Sequence, residues 1–329
     1  MKKKSILVTG GAGFIGSHLA DALIHKFRVI VLDNFSSGKH ENLREFISKG
    51  GEVCVGDILN YKNVEKLVSQ VDVIIHLAVQ CVRLSFKNPH FVHETNITGT
   101  LNLLEAARKK RLMRFLYVSS SEVYGNSKQK RLREVDVTNP STIYGASKLA
   151  GEYYCRAYLQ SYNLPIVIVR PFNTYGPRSH FEGVYGEVIP KFFIRLINKK
   201  RPIIYGNGYQ TRDFTYISDT VNGLILALDN TEVIGEVINI AHGVEVSINE
   251  LAELISGITR KNNLLPIYSQ NRPADILHLK ANIQKARKLL NFNPQVSINK
   301  GLQKYYDWLM SSKIDFNNAF KQDEQENWK

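Results

Sequence analysis

A glycine-rich turn near the start of the chain restricts the fold more than any other feature. Gly10, Gly13 and Gly16 lie between the apolar run 5–8 and a run with helical spacing. A tight turn after a strand needs residues that accept a positive φ, and a phosphate approaches the backbone closely only where no Cβ intrudes. The N–H groups and the positive dipole end of the following helix would face that phosphate. The turn therefore predicts a dinucleotide site, although a glycine triplet alone is also compatible with a simple turn.

An acidic residue after the next apolar run indicates which dinucleotide is preferred. The run 29–32 ends in Asp33, at about the distance from the glycines that is typical of the acid that binds a ribose 2′-hydroxyl. A carboxylate in this position would repel a 2′-phosphate. We therefore predict NAD as the cofactor in preference to NADP.

Strand-like apolar runs alternate with helical patterns through the first half of the chain. They are 5–8, 29–32, 52–55, 71–77, 115–119 and 166–169. Such alternation predicts an α/β fold with a Rossmann-type, doubly wound parallel sheet that binds ligands at the carboxyl ends of its strands. We expect an NAD-binding domain over residues 1–170, whose sheet is rejoined by a later strand near 237–240. A smaller C-terminal α/β substrate-binding region is expected over 171–316, followed by a polar, poorly ordered tail over 317–329.

The composition is that of an ordinary globular protein with a basic surface. Of the 329 residues, 43% are hydrophobic, and the formal net charge is +13. The short basic runs, such as 108–111, lack interleaved aromatic residues, so we expect a solvated surface and no nucleic-acid partner. No apolar run reaches transmembrane length, so no membrane partner is expected. Cys54, Cys81 and Cys155 lack a metal-type spacing, which predicts reduced thiols, a cytoplasmic location and no metal site.

Tyr144 and Lys148 are the first pair of residues that could do chemistry. They lie four positions apart in a stretch of helical character and so project from one face. An ammonium group within a few ångströms favours a phenolate, which would make Tyr144 a base near neutral pH. For an isolated pair of this kind, a tyrosine packed in the core beside a solvated lysine is the alternative.

Ser120 and Glu122 follow the strand-like run 115–119, at the edge of the sheet where ligands bind. The Ser120 hydroxyl could hydrogen-bond the substrate oxygen whose proton Tyr144 removes. Glu122 could act as a second acid or base if the cleft raises its pKa. With a nicotinamide nearby, this set of residues can oxidise a secondary alcohol.

Taken in order, the motifs of this chain resemble those of extended short-chain dehydrogenases/reductases that act on nucleotide sugars, most closely the UDP-glucose 4-epimerase group. The resemblance runs from the glycine turn and the motif 32–38, through 76–78 and the Tyr144/Lys148 pair, to the motif 170–177. It covers nearly all of the chain. Several ordered motifs are far more specific than any one of them.

The resemblance implies three groups of site residues. The catalytic residues would be Ser120, Tyr144, Lys148 and Glu122. The cofactor-binding residues would be Gly10, Gly13, Phe14, Ile15, Gly16, Asp33, Asn34, Asp57, Ile58, Leu77, Ala78, Asn96, Tyr144, Lys148 and Pro171, with Asp57 and Ile58 beside the adenine and Asn96 and Lys148 at the nicotinamide end. The substrate-binding residues would be Ser120, Glu122, Asn173, Val188, Arg212 and Arg272. Two arginines suit a diphosphate, because their planar guanidinium groups pair with its oxygens.

The resemblance further implies 4-epimerisation through a transient 4-keto sugar. Tyr144 would take the proton of the sugar 4-hydroxyl while the C4 hydride passes to NAD and later returns to the other face of the sugar. No net redox change results, so NAD is expected to stay bound. The expected substrate is a nucleotide sugar, with a UDP-hexose or a UDP-N-acetylhexosamine favoured.

Glu122 departs from the epimerase pattern, which usually has a small or hydroxylated residue before Val-Tyr-Gly. A glutamate here resembles the nucleotide-sugar 4,6-dehydratases, where it removes the C5 proton, and the UDP-glucuronate decarboxylases. A 4,6-dehydratase is therefore the alternative. Decarboxylation is less favoured, because decarboxylases have an arginine just after the catalytic lysine and this chain has Leu149.

Two helical patterns, 89–108 and 144–162, carry more apolar residues than one face of a sheet needs. Leu101, Tyr153 and Tyr154 are among them. Core packing is the ordinary explanation. The resemblance implies instead that these helices pair with their twofold mates in a four-helix interface, so we expect a homodimer.

Overall fold

The computed structural model of the chain describes residues 3–329, and a seven-stranded parallel sheet lies at its centre. The strands in chain order are β1 (Ser5–Thr9), β2 (Arg28–Asp33), β3 (Glu52–Val55), β4 (Val73–His76), β5 (Arg114–Val118), β6 (Ile166–Pro171), β7 (Thr174–Tyr175), β8 (Ile203–Tyr205), β9 (Thr211–Asp213), β10 (Thr215–Tyr216), β11 (Val237–Ile240), β12 (Glu245–Ser247) and β13 (Ile267–Ser269). The central sheet has the order β11-β6-β5-β4-β1-β2-β3, which confirms the predicted Rossmann-type, doubly wound sheet.

Helices cover both faces of this sheet. In chain order they are α1 (Phe14–Leu23), α2 (Arg44–Ser48), α3 (Tyr61–Val68), α4 (Leu84–Lys87), α5 (Pro89–His93), α6 (Gly99–Arg108), α7 (Ile143–Tyr162), α8 (Val188–Ile197), α9 (Ile217–Asp229), α10 (Ile248–Thr259), α11 (Gln284–Leu290), α12 (Ile298–Ser311) and α13 (Phe316–Lys321). A π-helical turn, Glu94–Thr98, joins α5 to α6, so the helix expected over 89–108 is interrupted. Among the helices of residues 3–329, none combines the length and the apolar character needed to cross a bilayer.

Side chains of alternate residues in the central strands pack into two separate hydrophobic cores, one on each face of the sheet. In β1, Ile6 and Val8 pack with the residues of α1 and α9, whereas Leu7 packs with those of α3, α6 and α7. All three side chains are fully buried. Strands that are covered on both faces are apolar at every position, which is why the sequence shows continuous apolar runs.

The parallel register brings the polar ends of the strands together. Val8 of β1 pairs with Val31 of β2 and with Ile75 of β4. Thr9, Asp33 and His76 therefore end their strands at one edge. β1 and β4 are neighbours although they are not consecutive, and the crevice at such a switch point is where ligands of doubly wound sheets bind.

The second half of the chain contributes a strand to the central sheet and builds a smaller region beside it. β11 pairs in parallel with β6, with Val237 opposite Ile168, so the late strand does rejoin the sheet as expected. The other short strands form three two-stranded sheets: β7 with β10, β9 with β12 and β8 with β13. A domain division at residue 170 remains a prediction.

The expectation that residues 317–329 are poorly ordered was wrong. The segment begins as α13, which is capped by the Asp315 carboxylate accepting from the backbone N–H groups of Asn317 and Asn318. Asn327 and Trp328 are only 4% and 6% exposed. The segment is polar, but it packs against α8 and the loop before it instead of extending into solvent.

Candidate active site

One cavity at the carboxyl edge of the sheet collects almost every predicted site residue. Its volume is about 450 Å³, within the range of small-molecule sites. The predicted residues that line it are Gly10, Gly13, Phe14, Ile15, Gly16, Asp33, Asn34, Asp57, Ile58, Leu77, Ala78, Ser120, Glu122, Tyr144, Lys148, Pro171, Asn173, Val188, Arg212 and Arg272. Asn96 is the exception.

The glycine turn is shaped by close approach of the backbone. Gly10 has φ +68°, and a Cβ there would lie 2.6 Å from the backbone nitrogen of Ala78. A Cβ on Gly16 would lie 2.2 Å from the carbonyl oxygen of Gly10. Gly13, the N-cap of α1, offers no side chain to the free N–H groups of the first turn. This cradle therefore presents backbone donors to the cavity, as a pyrophosphate requires.

Asp33 stands beside this cradle with its carboxylate held in place. Its Oδ2 accepts from Ala12 N and its Oδ1 from Phe35 N, both at 2.8 Å. Burial raises the pKa of Asp33 in spite of these two hydrogen bonds. Further along the edge, Asn34 Nδ2 donates to Asp57 Oδ2 at 2.8 Å. The cradle and the fixed carboxylate fit a dinucleotide with an unmodified ribose.

The start of α7 brings Tyr144 against the serine turn. The Thr142 hydroxyl caps the helix by accepting from Gly145 N at 2.9 Å. A Cβ on Gly145 would lie 2.7 Å from the carbonyl oxygen of Glu122, so only glycine allows the helix and the turn to come this close. The Ser120 hydroxyl accepts from Glu122 N at 3.2 Å. Ser120, Glu122 and Tyr144 consequently share one end of the cavity.

The electrostatics of Tyr144 differ from the expectation based on Lys148. Burial raises the pKa of Tyr144 above its ordinary value, and contact with the Ser120 hydroxyl lowers it in part. Lys148 does not lower the pKa of Tyr144 in this structure. Its ammonium lies 4.4 Å from the centroid of the Tyr117 ring, and burial lowers the pKa of Lys148 to about 8. The two side chains line the same cavity, but the charge of Lys148 does not offset the desolvation of the phenol.

A buried ion pair supports the far side of α7. Arg170 at the end of β6 donates to both carboxylate oxygens of Glu152, at 2.8 and 2.7 Å. The Ser119 hydroxyl donates to the same carboxylate at 2.6 Å. Glu152 lies one turn beyond Lys148, so this network connects α7 to β5 and β6 behind the predicted catalytic residues.

The two predicted substrate arginines share one carboxylate partner. Arg212 Nη2 donates to Asp275 Oδ1 at 2.7 Å, and Arg272 donates to the same oxygen. Burial raises the pKa of Glu122, while the charges of Arg272 and Arg212 lower it. The two arginines and Asp275 therefore lie near enough to Glu122 for their charges to act on its carboxyl group.

Asn173 and Asn96 differ in what they offer a ligand. The amide oxygen of Asn173 is buried without a hydrogen-bond partner and so is free to accept from a ligand in the cavity. Asn96 lies in the π-helical turn, where its amide accepts from Gln80 N at 2.8 Å and donates to Ser147 Oγ at 2.9 Å. Its contact with the nicotinamide end of the cofactor stays a prediction. Asn96 is 1% exposed, and its side chain connects the loop that contains Gln80 to α7, which contains Ser147.

Sequence reasoning missed a loop and a distant segment that complete the cavity. Arg83 and Glu187 line it, and Arg83 holds the loop before α8 by donating to the carbonyls of Val184 and Tyr185, at 2.8 and 2.7 Å. Glu187 is the N-cap residue of α8 but makes no capping hydrogen bond, and burial raises its pKa. Asp323, Gln325, Asn327 and Trp328 line the same cavity. The lone tryptophan in an otherwise polar segment was the one available signal.

The side-chain clusters of residues 3–329 include no group of three or more His, Cys, Asp or Glu residues that could hold a metal ion. The three cysteines are free, and Cys81 lies on the cavity wall. The side chains that line the cavity include the hydroxyl of Ser120, the phenol of Tyr144, the ammonium of Lys148, the carboxylate of Glu122 and the guanidinium groups of Arg212 and Arg272.

Comparison with known proteins places this geometry in a family. The model of a family described as GDP-mannose 4,6 dehydratase matches residues 7–305. A putative UDP-glucose 4-epimerase of Methanocaldococcus jannaschii is 35% identical over 93% of this chain and 99% of its own length. A UDP-N-acetyl-alpha-D-glucosaminuronate decarboxylase of Bacillus cytotoxicus is also 35% identical, over 95% of this chain and all of its own. The crystal structure of UDP-glucuronic acid 4-epimerase from Bacillus cereus, in complex with UDP-glucuronic acid and NAD, is 34% identical and superposes with a TM-score of 0.87 over 93% of this chain and 99% of that one.

Proposed function

The chain belongs to the GDP-mannose 4,6-dehydratase family, and from this premise we propose that it is an NAD-dependent UDP-sugar 4-epimerase. The observation that carries the proposal is the convergence of Ser120, Tyr144 and Lys148 on a cavity that also contains a dinucleotide cradle and two arginines. Relatives of similar identity include 4-epimerases, one of them solved with NAD and a UDP-sugar.

Residues at different positions along the cavity bind the cofactor and the substrate. The cradle at Gly10 and Gly13 and the carboxylate of Asp33 hold NAD, which supplies the acceptor and donor of the C4 hydride. Arg212 and Arg272 bind the substrate diphosphate, for which two planar guanidinium groups are suited. The sugar then lies toward Tyr144.

The proton is handled by Tyr144 and its neighbours. The phenol oxygen removes the proton of the sugar 4-hydroxyl and later returns it, so Tyr144 serves as base and then as acid. Ser120 hydrogen-bonds the same substrate oxygen and keeps it beside the phenol. Lys148 lines the same cavity and holds the cofactor end of the site, where it supplies a positive charge.

A 4,6-dehydratase is the second candidate, because Glu122 shares the Tyr144 end of the cavity. Burial raises the pKa of its carboxyl group, and a carboxyl group with a raised pKa is suited to exchange protons with a sugar carbon. In that reading Glu122 removes the C5 proton of the 4-keto sugar and water leaves from C5 and C6. A relative of equal identity to the putative 4-epimerase is named a decarboxylase, so decarboxylation is the third and less favoured candidate.

A product assay separates these functions. The protein is incubated with NAD and, separately, with UDP-glucose, UDP-N-acetylglucosamine and UDP-glucuronic acid, and the products are analysed by proton NMR and mass spectrometry. We expect a product of unchanged mass with inverted configuration at C4. Loss of one water would establish the dehydratase instead, and loss of carbon dioxide from the uronate would establish a decarboxylase.

We also propose that the protein is a cytoplasmic homodimer. The dimer interface would use the outer faces of α6 and α7, where Tyr153 and Tyr154 are 58% and 38% exposed. Large exposed aromatic side chains on one helix face favour burial against a partner. The location is supported by Cys54, Cys81 and Cys155, which are free thiols and suit a reducing compartment.

A further inference from the structure

The segment 316–329 closes one end of the cavity, although the family model stops matching at residue 305. Asp323, Gln325, Asn327 and Trp328 all contribute to the cavity wall. They stand opposite residues of α8 and β8, more than 100 positions earlier in the chain.

Several polar contacts fix the segment in place. Asp323 pairs with Arg195 of α8, and both side chains are less than a tenth exposed. Gly183 N donates to Gln322 O at 2.9 Å. The Asn327 amide donates to the carbonyls of Gly183 and Gly186, at 3.1 and 3.2 Å. These contacts attach the segment to α8 and to the loop that leads into α8.

The aromatic part of this wall is formed by Trp328 and Tyr205. Their ring centroids lie 4.5 Å apart and the rings are nearly perpendicular, at 83°. Ile203, two residues before Tyr205 in β8, and Val188 at the start of α8 line the same cavity. Aromatic rings with aliphatic neighbours form the kind of surface on which nucleobases stack.

The arginine pair lies next to this aromatic wall. β8, which ends at Tyr205, pairs with β13, and Arg272 follows β13 by three residues. Gln210, two residues before Arg212, donates its amide to the carbonyl of Tyr205 at 2.7 Å. A diphosphate held by Arg212 and Arg272 would therefore have Tyr144 on its sugar side and the Tyr205–Trp328 wall on its nucleoside side.

We propose that the segment 316–329 is the base-binding wall of the nucleotide-sugar site and that Trp328 contacts the uracil of the substrate. The identification of the base as uracil rests on the proposed UDP-sugar specificity. Asp323 and Asn327 are positioning residues, since they hold the segment against α8 and the loop before it. The substrate site thus includes a part of the chain beyond the region that the family model matches.

Tryptophan fluorescence tests this contact directly, because the chain contains two tryptophans, Trp308 and Trp328. The full-length Trp308→Phe variant retains only Trp328 and is titrated with UDP, UMP and inorganic pyrophosphate. We expect saturable quenching by UDP and UMP and none by pyrophosphate, which has no base. The Trp328→Phe variant, which retains only Trp308, is the matched control and should show no saturable change.

Calorimetric titration with UDP measures what the contact contributes. Loss of base stacking is expected to weaken UDP binding by about 10-fold in Trp328→Ala, whereas Trp328→Phe retains most of the affinity. NAD affinity, measured on the same samples, should stay unchanged, which shows that the Ala variant is folded. Unchanged or tighter UDP binding by Trp328→Ala would overturn the proposal. UDP binding that leaves the fluorescence of Trp328 unaltered would also overturn it, and so would a wild-type protein that does not bind UDP.

These binding measurements do not depend on turnover. A protein that dehydrates its substrate but shows the expected UDP response at Trp328 would refute the epimerase assignment and support the base-binding wall. A 4-epimerase whose Trp328 variants bind UDP normally would refute the wall alone.

Discussion

At the scale of single residues, the cavity places its titratable groups in environments that oppose their charged forms. Burial raises the pKa of Tyr144 and of Glu122 and lowers that of Lys148 to about 8. Perturbed groups that share one cavity are typical of catalytic sites. Tyr144 is the group whose role can be tested with the smallest structural change.

Replacement of Tyr144 by Phe removes the phenolic oxygen and keeps the ring. We expect turnover to fall by at least about a thousand-fold, since the substrate proton then has no positioned acceptor. NAD binding, followed by calorimetry, should be nearly unchanged. Tyr209→Phe, at a tyrosine that is 72% exposed, is the control and should keep full activity. Turnover by Tyr144→Phe at the wild-type rate would remove Tyr144 from the mechanism.

The lowered pKa of Lys148 leads us to expect a loss of activity at alkaline pH. A lysine is charged below its pKa, so the positive charge at the cofactor end is present below about pH 8 and lost as the pH rises through that value. The pH profile of kcat/KM should therefore descend near pH 8. Lys148→Arg keeps its charge throughout this range and should lack the descending limb, even if its maximal rate is lower. A descending limb at the same pH in both proteins would assign it to another group.

At the scale of elements, the sheet could be predicted because its signals are local. Most central strands are short apolar runs with a polar or glycine residue at or just after their ends, so Gly10, Asp33 and Ser120 could be assigned to one edge. The partners of the Asn96 amide, Gln80 and Ser147, could not be predicted, because the resemblance gives a position in the chain and not the direction of a side chain. The order of residues 317–329 could not be predicted, since it depends on contacts such as Asp323 with Arg195.

The attachment of α7 to the sheet depends on the Glu152–Arg170 pair. Glu152→Ala leaves a buried guanidinium without its carboxylate, and we expect a loss of about 3–5 kcal/mol in the free energy of unfolding. Glu52→Ala breaks the Arg28–Glu52 pair, in which both side chains are at least 40% exposed, and should cost less than about 1 kcal/mol. Urea denaturation measures both values. Equal losses in the two variants would show that burial of the pair does not determine its importance.

At the scale of the whole molecule, both halves of the chain build a single cavity. The first half supplies the glycine cradle and Tyr144, and the second supplies Arg212, Arg272 and the segment 316–329. β11 also ties the second half to the central sheet. The outer faces of α6 and α7 take no part in this cavity. They either face solvent or contact a second copy of the chain.

The proposed homodimer makes that use of α6 and α7 testable. Sedimentation equilibrium at micromolar concentration should give twice the chain mass of 37.4 kDa. The double variant Tyr153→Glu, Tyr154→Glu places two carboxylates at the twofold interface, where burial of unpaired charge is costly, and should sediment as a monomer. Tyr209→Glu changes a more exposed tyrosine, outside these helices, and this variant should remain dimeric. A wild-type protein with the mass of one chain would contradict the dimer, and a double variant that stays dimeric would place the interface elsewhere.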